Sequence, residues 1–245
     1  MRKFFVLLLI LVSLDAAAAS RRRSVKAPAP AAPTGQCVNY GSPRIGMKAS
    51  YLTTSPGGNV TYQVTYLADT TTQARTTQKV QAPTGNADVE TTMDFETVKA
   101  AFDLRAVKHM NVKGTTSAGG FAFTLETDIN FVPSMVLGPI GGWCQGAKWS
   151  VPATTETIRV NSIAGQQLTT QTTIAYEGEV LDTNAMVTTP AGTFRCIKTK
   201  GLTPSSSSTD RTIAWNSVDY YITVRQETVD ASGNVTSVTE LQKIE

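Results

Sequence analysis

Residues 121–131 read Phe121-Ala122-Phe123-Thr124-Leu125-Glu126-Thr127-Asp128-Ile129-Asn130-Phe131, and this alternation decides the fold class. Successive side chains of a β-strand point to opposite faces, so a period of two predicts a strand with one buried and one solvated face. Residues 60–66, Val-Thr-Tyr-Gln-Val-Thr-Tyr, follow the same pattern. Threonine, which is frequent in this chain, suits strands better than helix interiors. We therefore expect an all-β protein.

Turn-forming residues separate the alternating stretches. Gly, Pro, Asn and Asp concentrate in residues 55–59, 189–192 and 230–234, where hairpins are expected. The single candidate for a helix is one short segment, residues 97–107, for which a strand is the alternative.

A short internal repeat indicates how the strands are organised. Gly46-Met47-Lys48-Ala49-Ser50-Tyr51 is similar to Gly146-Ala147-Lys148-Trp149-Ser150-Val151, although so short a match can also arise by chance. If each copy opens a meander, the two halves span about residues 37–132 and 146–245 and are joined by a Gly/Pro-rich linker, residues 133–146. Two meanders of roughly five strands each predict one large curved antiparallel sheet or an incompletely closed β-barrel, because a large twisted sheet curls. A β-sandwich is the alternative.

The first nineteen residues have the layout of a secretory signal peptide. Arg2 and Lys3 precede an apolar run of about eleven residues, which is too short to span a bilayer as a helix. The alanines before Ser20 supply a cleavage site near Ala19. A lipoprotein would need a cysteine directly after that site, but the first cysteine is Cys37. We expect export by the general secretory route to the periplasm or the medium, with no transmembrane segment in the mature chain.

A basic Pro/Ala-rich spacer, residues 20–36, separates the signal peptide from the remaining chain. Its composition cannot bury a core, and we expect it to be disordered. The formal net charge of +3 comes from the N-terminal 36 residues, because residues 37–245 carry 16 Lys and Arg against 18 Asp and Glu, a formal charge of −2. We expect residues 37–245 to form a single β-rich domain, and nothing in their charge indicates a nucleic-acid partner.

The chain has three cysteines, Cys37, Cys144 and Cys196. In an oxidising compartment one pair can form, and three pairings are open. Cys196 shares a strand face with Phe194, which fits a buried apolar filler. The sequence therefore predicts a disulfide between Cys37 and Cys144.

Residues that could support catalysis are few. The single histidine, His109, is not part of a metal-ligand or nucleophile motif, and we expect it in a surface loop. Two acidic pairs, Glu126 with Asp128 and Glu177 with Glu179, alternate with apolar positions and so belong to a polar strand face rather than to a glycosidase-type site. We expect no enzyme activity, no metal site and no cofactor.

Aromatic residues fall on the apolar faces of successive predicted strands. They fit a filled core, but they could also line an apolar cavity that holds a lipid or a similar ligand. On the second interpretation the ligand-binding candidates are Tyr62, Tyr66, Phe121, Phe123, Trp143 and Trp149.

The segment Val187-Thr188-Thr189-Pro190-Ala191-Gly192-Thr193-Phe194 resembles a Val-x-x-Pro-Ala-Gly-Thr-Phe hairpin of uncharacterised exported bacterial β-proteins, a domain of unknown function. Residues 146–150, 224–228 and 233–237 are also similar to this family, so the resemblance covers mainly residues 133–245. Residues 215–220 depart from it, because they lack the Pro and the glycines of the family's turn. The family itself is distantly similar to the half-barrels that carry lipoproteins or lipids across the periplasm. The resemblance implies a fold and a compartment, but no activity.

These observations favour a non-catalytic exported β-module that is a binding or structural component of the cell envelope or the secretome. The alternative is a periplasmic carrier of a lipid or other hydrophobic ligand in a half-barrel cavity, with the linker 133–146 as its lid. A hydrophobic ligand and an envelope component are the partners that these two hypotheses imply.

Overall fold

The structure, a computed structural model, describes residues 35–83, 85–99, 103–118, 121–161, 167–202 and 211–245. The side chains of residues 118, 121–123, 151–153, 174–176 and 202 are not described. The predicted signal peptide and residues 20–34 of the predicted spacer lie outside the described residues.

The described residues form strands joined by turns, and no helix is found among them. In chain order the described strands are β1 (Cys37–Tyr40), β2 (Lys48–Ser55), β3 (Gly58–Asp69), β4 (Gln73–Ala82), β5 (Gly85–Lys99), β6 (Asp103–Ala118), β7 (Phe121–Pro139), β8 (Gly141–Cys144), β9 (Lys148–Asn161), β10 (Gln167–Thr189), β11 (Gly192–Leu202), β12 (Arg211–Ser217), β13 (Thr223–Val229) and β14 (Val235–Ile244). The predicted all-β class is confirmed.

One large antiparallel sheet contains every described strand except β1 and β8, which pair with each other. Its order consists of two meanders, β2 to β7 and β9 to β14, and the order returns to its start because β7 pairs with β9 and β14 pairs with β2. The predicted curved sheet built from two meanders is therefore confirmed, and each meander has six strands rather than about five.

The pairing does not run along the full length of the long strands. β9 pairs with residues 167–179 of β10 and β11 pairs with residues 177–189, so only Glu177, Gly178 and Glu179 have recorded neighbours on both sides. The recorded pairing of β7 with β9 ends at Val132 and Thr155. The next residue of β7 is Pro133, which has no N–H to donate. The sheet is thus curved but incompletely closed along its strands.

The two copies of the sequence repeat make the same backbone contacts. The Gly46 amide donates to the Tyr66 carbonyl (2.8 Å), and the Tyr66 amide donates to the Met47 carbonyl (3.1 Å). In the second copy the Gly146 amide donates to the Val180 carbonyl (2.9 Å), and the Val180 amide donates to the Ala147 carbonyl (2.9 Å). Both glycines have φ near +80°, at 84° and 80°, which favours glycine at the start of each meander.

Three clusters of buried residues fill the inner face. The first core cluster consists of Met47, Ala49, Tyr51, Val64, Val187, Phe194, Cys196, Ile222, Val224 and Leu241. The second consists of Leu104, Ala106, Val136, Ala147, Trp149, Val180, Ile197 and Val218. The third consists of Ala74, Phe95, Val107, Ile129 and Phe131.

One alternative about local structure is confirmed and one prediction was wrong. The described residues of 97–107 end β5 and begin β6, where Val98 pairs with Leu104, so the strand alternative is confirmed for this segment. Burial of Leu104 and Ala106 in the second core cluster outweighs the helix propensity of this segment. Residues 133–139, assigned from the sequence to a linker, continue β7, and only the short β8 and its turns remain between the meanders.

Candidate functional site

Past Val132 of β7 and Thr155 of β9 these two strands are unpaired among the described residues, and we call this place the gap. A small disulfide-linked ribbon, formed by β1 and β8, lies beside it. β1 and β8 pair antiparallel from Cys37 opposite Cys144 to Tyr40 opposite Gly141. The disulfide joins Cys37 and Cys144, which closes a sequence separation of 107 residues. Cys196 is a free thiol inside the first core cluster. The predicted pairing is confirmed, and its presence is consistent with export to an oxidising compartment.

A row of aromatic rings connects this ribbon to the large sheet. Tyr40 of β1 has its ring centroid 5.5 Å from Trp143 of β8 and 5.5 Å from Tyr221. Trp143 is 5.9 Å from Trp149 of β9, in an edge-to-face arrangement. We call these four residues the aromatic row. Burial raises the pKa of Tyr40, so this phenol stays neutral.

Two glycines make room for the indole rings of the aromatic row. A Cβ added at Gly138 of β7 would lie 2.8 Å from Cη2 of Trp143, and one added at Gly178 of β10 would overlap the indole of Trp149. Trp149 therefore covers the backbone of β10 where its two halves meet, and Trp143 covers the part of β7 that follows the pairing with β9. The ribbon is anchored on the large sheet by these side chains.

Tyr221 takes an unusual backbone conformation next to the aromatic row. It has φ of 58°, in the left-handed region that non-glycine residues rarely adopt. The turn lies between β12 and β13, following residues 215–220, which lack the glycines of the resembled family. The Tyr221 amide donates to the Ser217 carbonyl (2.9 Å), and its ring lies against Tyr40 and Gly41.

The predicted ligand-binding residues fall into separate groups. Tyr62 and Tyr66 pack against the first core cluster, where Tyr62 stacks on Tyr51 with centroids 5.0 Å apart. Trp149 belongs to the second core cluster and Trp143 packs against it. Burial raises the pKa of Tyr62 to about 12 and also raises that of Tyr66. The remaining two candidates, Phe121 and Phe123, are in β7, but their side chains lie outside the described part of the chain.

His109 lies on β6 and not in the predicted surface loop. Its Nδ1 is 3.1 Å from Oδ2 of Asp94 on β5, and its Nε2 is 3.4 Å from Oδ1 of Asp128 on β7. Hydrogen bonds from Gln73 and His109 lower the pKa of Asp94. The half-buried imidazole of His109 thus links β6 to both of its neighbouring strands, β5 and β7, and these contacts serve the structure of the sheet.

Three of the four acidic residues predicted to lie on the polar strand face, Glu126, Asp128 and Glu179, contact side chains of neighbouring strands. The Asn111 side-chain amide donates to Asp128 (2.8 Å) and to Glu126 (3.2 Å). Glu126 lies 3.0 Å from Nζ of Lys113, and Glu179 lies 3.2 Å from Nζ of Lys148. Among the described residues no three His, Cys, Asp or Glu side chains are grouped as metal ligands would be.

One buried acid escaped the sequence analysis. Glu156 of β9 is 0% exposed, and neither of its carboxyl oxygens has a hydrogen-bond partner among the residues that the structure describes. Burial raises its pKa to about 7. The sequence holds one signal for its burial, because Glu156 alternates in step with Ile158 and Val160 and so lies on the same strand face as these apolar residues. A glutamate among threonines nevertheless reads as solvent-exposed.

Comparisons with solved structures found two chains that resemble this one in part. A "putative exported protein with YmcC-like fold" from Bacteroides fragilis has 11% identity and a TM-score of 0.38, and the match covers 85% of this chain and 100% of that one. A "putative lipoprotein" from Parabacteroides distasonis has 13% identity and a TM-score of 0.38, and the match covers 86% of this chain and 100% of that one. No protein family and no curated protein matches the sequence. Neither likeness is close enough to assign the chain to a family.

Proposed function

We propose that this chain is an exported, non-catalytic β-module that acts by binding or supporting another component of the cell envelope or the secretome. The observation that carries the proposal is the Cys37–Cys144 disulfide. Disulfides persist in oxidising compartments and are rare where thiols are kept reduced. Among the described strands, the bond also links the two that stand outside the large sheet, β1 and β8.

The arrangement of polar groups supports a role without catalysis. A general base needs a free position from which it can reach a substrate proton. Both ring nitrogens of His109 instead face carboxylates of the flanking strands, Asp94 and Asp128. Glu126 and Glu179 each face a lysine of a neighbouring strand. These groups hold strands together on the outer face of the sheet.

Fractionation of the native cell tests this proposal. The protein is expected in the periplasm or the medium, and mass mapping of an unreduced digest is expected to find the Cys37–Cys144 peptide pair. Recovery in the cytosol with all three thiols free would overturn the proposal. A disulfide that involves Cys196 would overturn the structural argument, because the thiol of Cys196 is fully buried in the core.

The second candidate is a carrier of a hydrophobic ligand, and the gap between β7 and β9 favours it. Past Val132 and Thr155 the two strands have no recorded pairing among the described residues. Trp143 of the ribbon packs on Gly138 and Trp149 at this place. Residues 133–139 belong to β7 and cannot be part of the predicted lid, residues 133–146. The β1–β8 ribbon is therefore the element that would act as the lid.

Native mass spectrometry separates the two candidates. A carrier purified from its own host is expected to retain an apolar molecule, and Trp143→Ala is expected to weaken the uptake of an apolar fluorescent dye. Trp215→Ala is the matched control, because Trp215 lies on β12 beside Lys198 and Arg225, packs against the first core cluster and is in none of the ring contacts of the aromatic row. A clean apo mass together with no dye uptake would exclude the carrier function.

A further inference from the structure

Glu156 faces the interior from a strand that is paired on both sides. It lies opposite Phe131 of β7 and opposite Thr172 of β10. Directly opposed residues of antiparallel strands share a face, and Phe131 belongs to the third core cluster. The carboxyl group is therefore directed into the core and not toward the solvent.

The third core cluster beside this carboxyl group is apolar, whereas Thr154 on the same strand face and the opposite Thr172 are polar. Met93, Met110, Met135 and Ile158 pack against the third core cluster. Among the described residues, the guanidinium of Arg105 lies 3.7 Å from the centroid of the Phe95 ring of that cluster. Arg105 donates hydrogen bonds to Asp69 and to the Thr70 carbonyl, and its buried Nε has no partner within the described part of the chain. Neither Phe131 nor Thr172 can titrate, and no side chain that the structure describes is hydrogen-bonded to the carboxyl group of Glu156.

A buried carboxyl group without a partner is costly, because it has lost its water and gained nothing in exchange. Native proteins hold few such groups, and those they hold concentrate at functional sites. The thioether side chains of Met93, Met110 and Met135, which pack against the third core cluster, can repack around a guest more easily than branched residues can.

On the basis of the carrier function proposed above, we propose that Glu156 anchors an interior site for an apolar ligand that carries an amine. The ammonium group of such a ligand donates a charge-assisted hydrogen bond to the carboxylate, and its apolar body replaces side-chain contacts of the third core cluster. An alcohol can use the same oxygens only through a neutral hydrogen bond. A fatty carboxylate would place a second acid beside the first.

Titration of the purified, disulfide-intact protein with octylamine, octanol and octanoate tests the site. Wild type is expected to bind octylamine at least about tenfold more tightly than octanol, the difference that a charge-assisted hydrogen bond supplies. Glu156→Gln is expected to lose that preference, whereas Glu96→Gln, which changes an exposed glutamate of β5, is expected to keep it.

Proton release gives a second measurement, which a purely structural role would not produce. With a pKa of about 7, Glu156 is mostly protonated at pH 6. Binding of the ammonium form should then expel about one proton, measured by calorimetry in buffers of different ionisation enthalpy. Glu156→Gln should expel none.

The outcomes distinguish this site from the carrier function on which it rests. If wild type binds all three probes equally, or if Glu156→Gln keeps the preference for octylamine, the carrier function stands and the Glu156 site is refuted. If wild type takes up none of the three probes, both are refuted.

Discussion

Replacing Glu156 with glutamine should change how the stability of this protein depends on pH. In the unfolded chain the carboxyl group titrates at its ordinary pKa of about 4.5, while in the folded protein burial raises that pKa to about 7. A raised pKa means that folding favours the protonated acid. The stabilisation of the folded state by protonated Glu156 is therefore fully present below pH 4.5 and is lost as the pH rises toward 7. Glutamine carries no charge in this range and should remove the dependence.

The size of the effect follows from the shift. Each pKa unit corresponds to 1.36 kcal/mol, so a rise from 4.5 to about 7 makes the wild-type free energy of unfolding fall by about 3 kcal/mol across this window. The side chain is fully buried, so solvent does not screen it. Glutamine also leaves an unpaired polar group in the core, but that cost is independent of pH.

Urea unfolding followed by circular dichroism at pH 4.5, 5.5, 6.5 and 7.5 measures the effect. The quantity to plot is the difference in unfolding free energy between Glu156→Gln and wild type, because the titration of all other groups cancels in it. The variant should gain about 3 kcal/mol relative to wild type between pH 4.5 and 7.5. Glu96→Gln, which changes an exposed glutamate, should give a flat difference. A flat difference for Glu156→Gln as well would refute the reasoning.

Three further predictions concern the ribbon, the aromatic row and the core thiol. Removing the disulfide in the double variant Cys37→Ala with Cys144→Ala should lower the free energy of unfolding by roughly 4 kcal/mol, because the bond closes a long loop; a midpoint equal to that of wild type in denaturant would contradict this. Gly178→Ala should destabilise the protein by about 1–3 kcal/mol by displacing Trp149, as measured by thermal unfolding and tryptophan fluorescence, whereas Gly142→Ala, where an added Cβ meets nothing within 4 Å, should stay within about 0.5 kcal/mol of wild type. Burial raises the pKa of Cys196 to about 12, so its thiol should resist a disulfide-exchange reagent at pH 8 and react fully in denaturant; rapid reaction of the native protein would show that the thiol is exposed.

The strands and the disulfide could be predicted because local and long-range constraints agree there. Residues 60–66 lie within β3 and residues 121–131 lie within β7, since period-two patterns match the burial that the sheet requires. The turn at residues 189–192 separates β10 from β11, and that at 230–234 separates β13 from β14. Cys196 was recognised as a core residue from its parity with Phe194, which left one pair for the disulfide.

Other features depend on partners that are distant in the sequence. Pro133 and Gly138 indicated a linker, but Pro133 lies where the pairing with β9 stops and Gly138 lies under the ring of Trp143. The anchoring of the ribbon by the aromatic row required knowledge of which strands are neighbours. The burial of Glu156 depends in the same way on the strands at both sides of β9. Composition alone places such a residue in solvent.

The pairing of β14 with β2 sets an order of events for a chain that is made from its N-terminus. β2 pairs with β3, which follows it directly in the chain. The other edge of β2 pairs with residues 238–244 of β14, almost two hundred positions later along the chain. Until then β2 offers unpaired backbone groups to any other strand, which is the usual start of edge-to-edge aggregation. Contacts of such sequence separation also form slowly. The pairing of β14 with β2 therefore covers this edge of β2 late in folding.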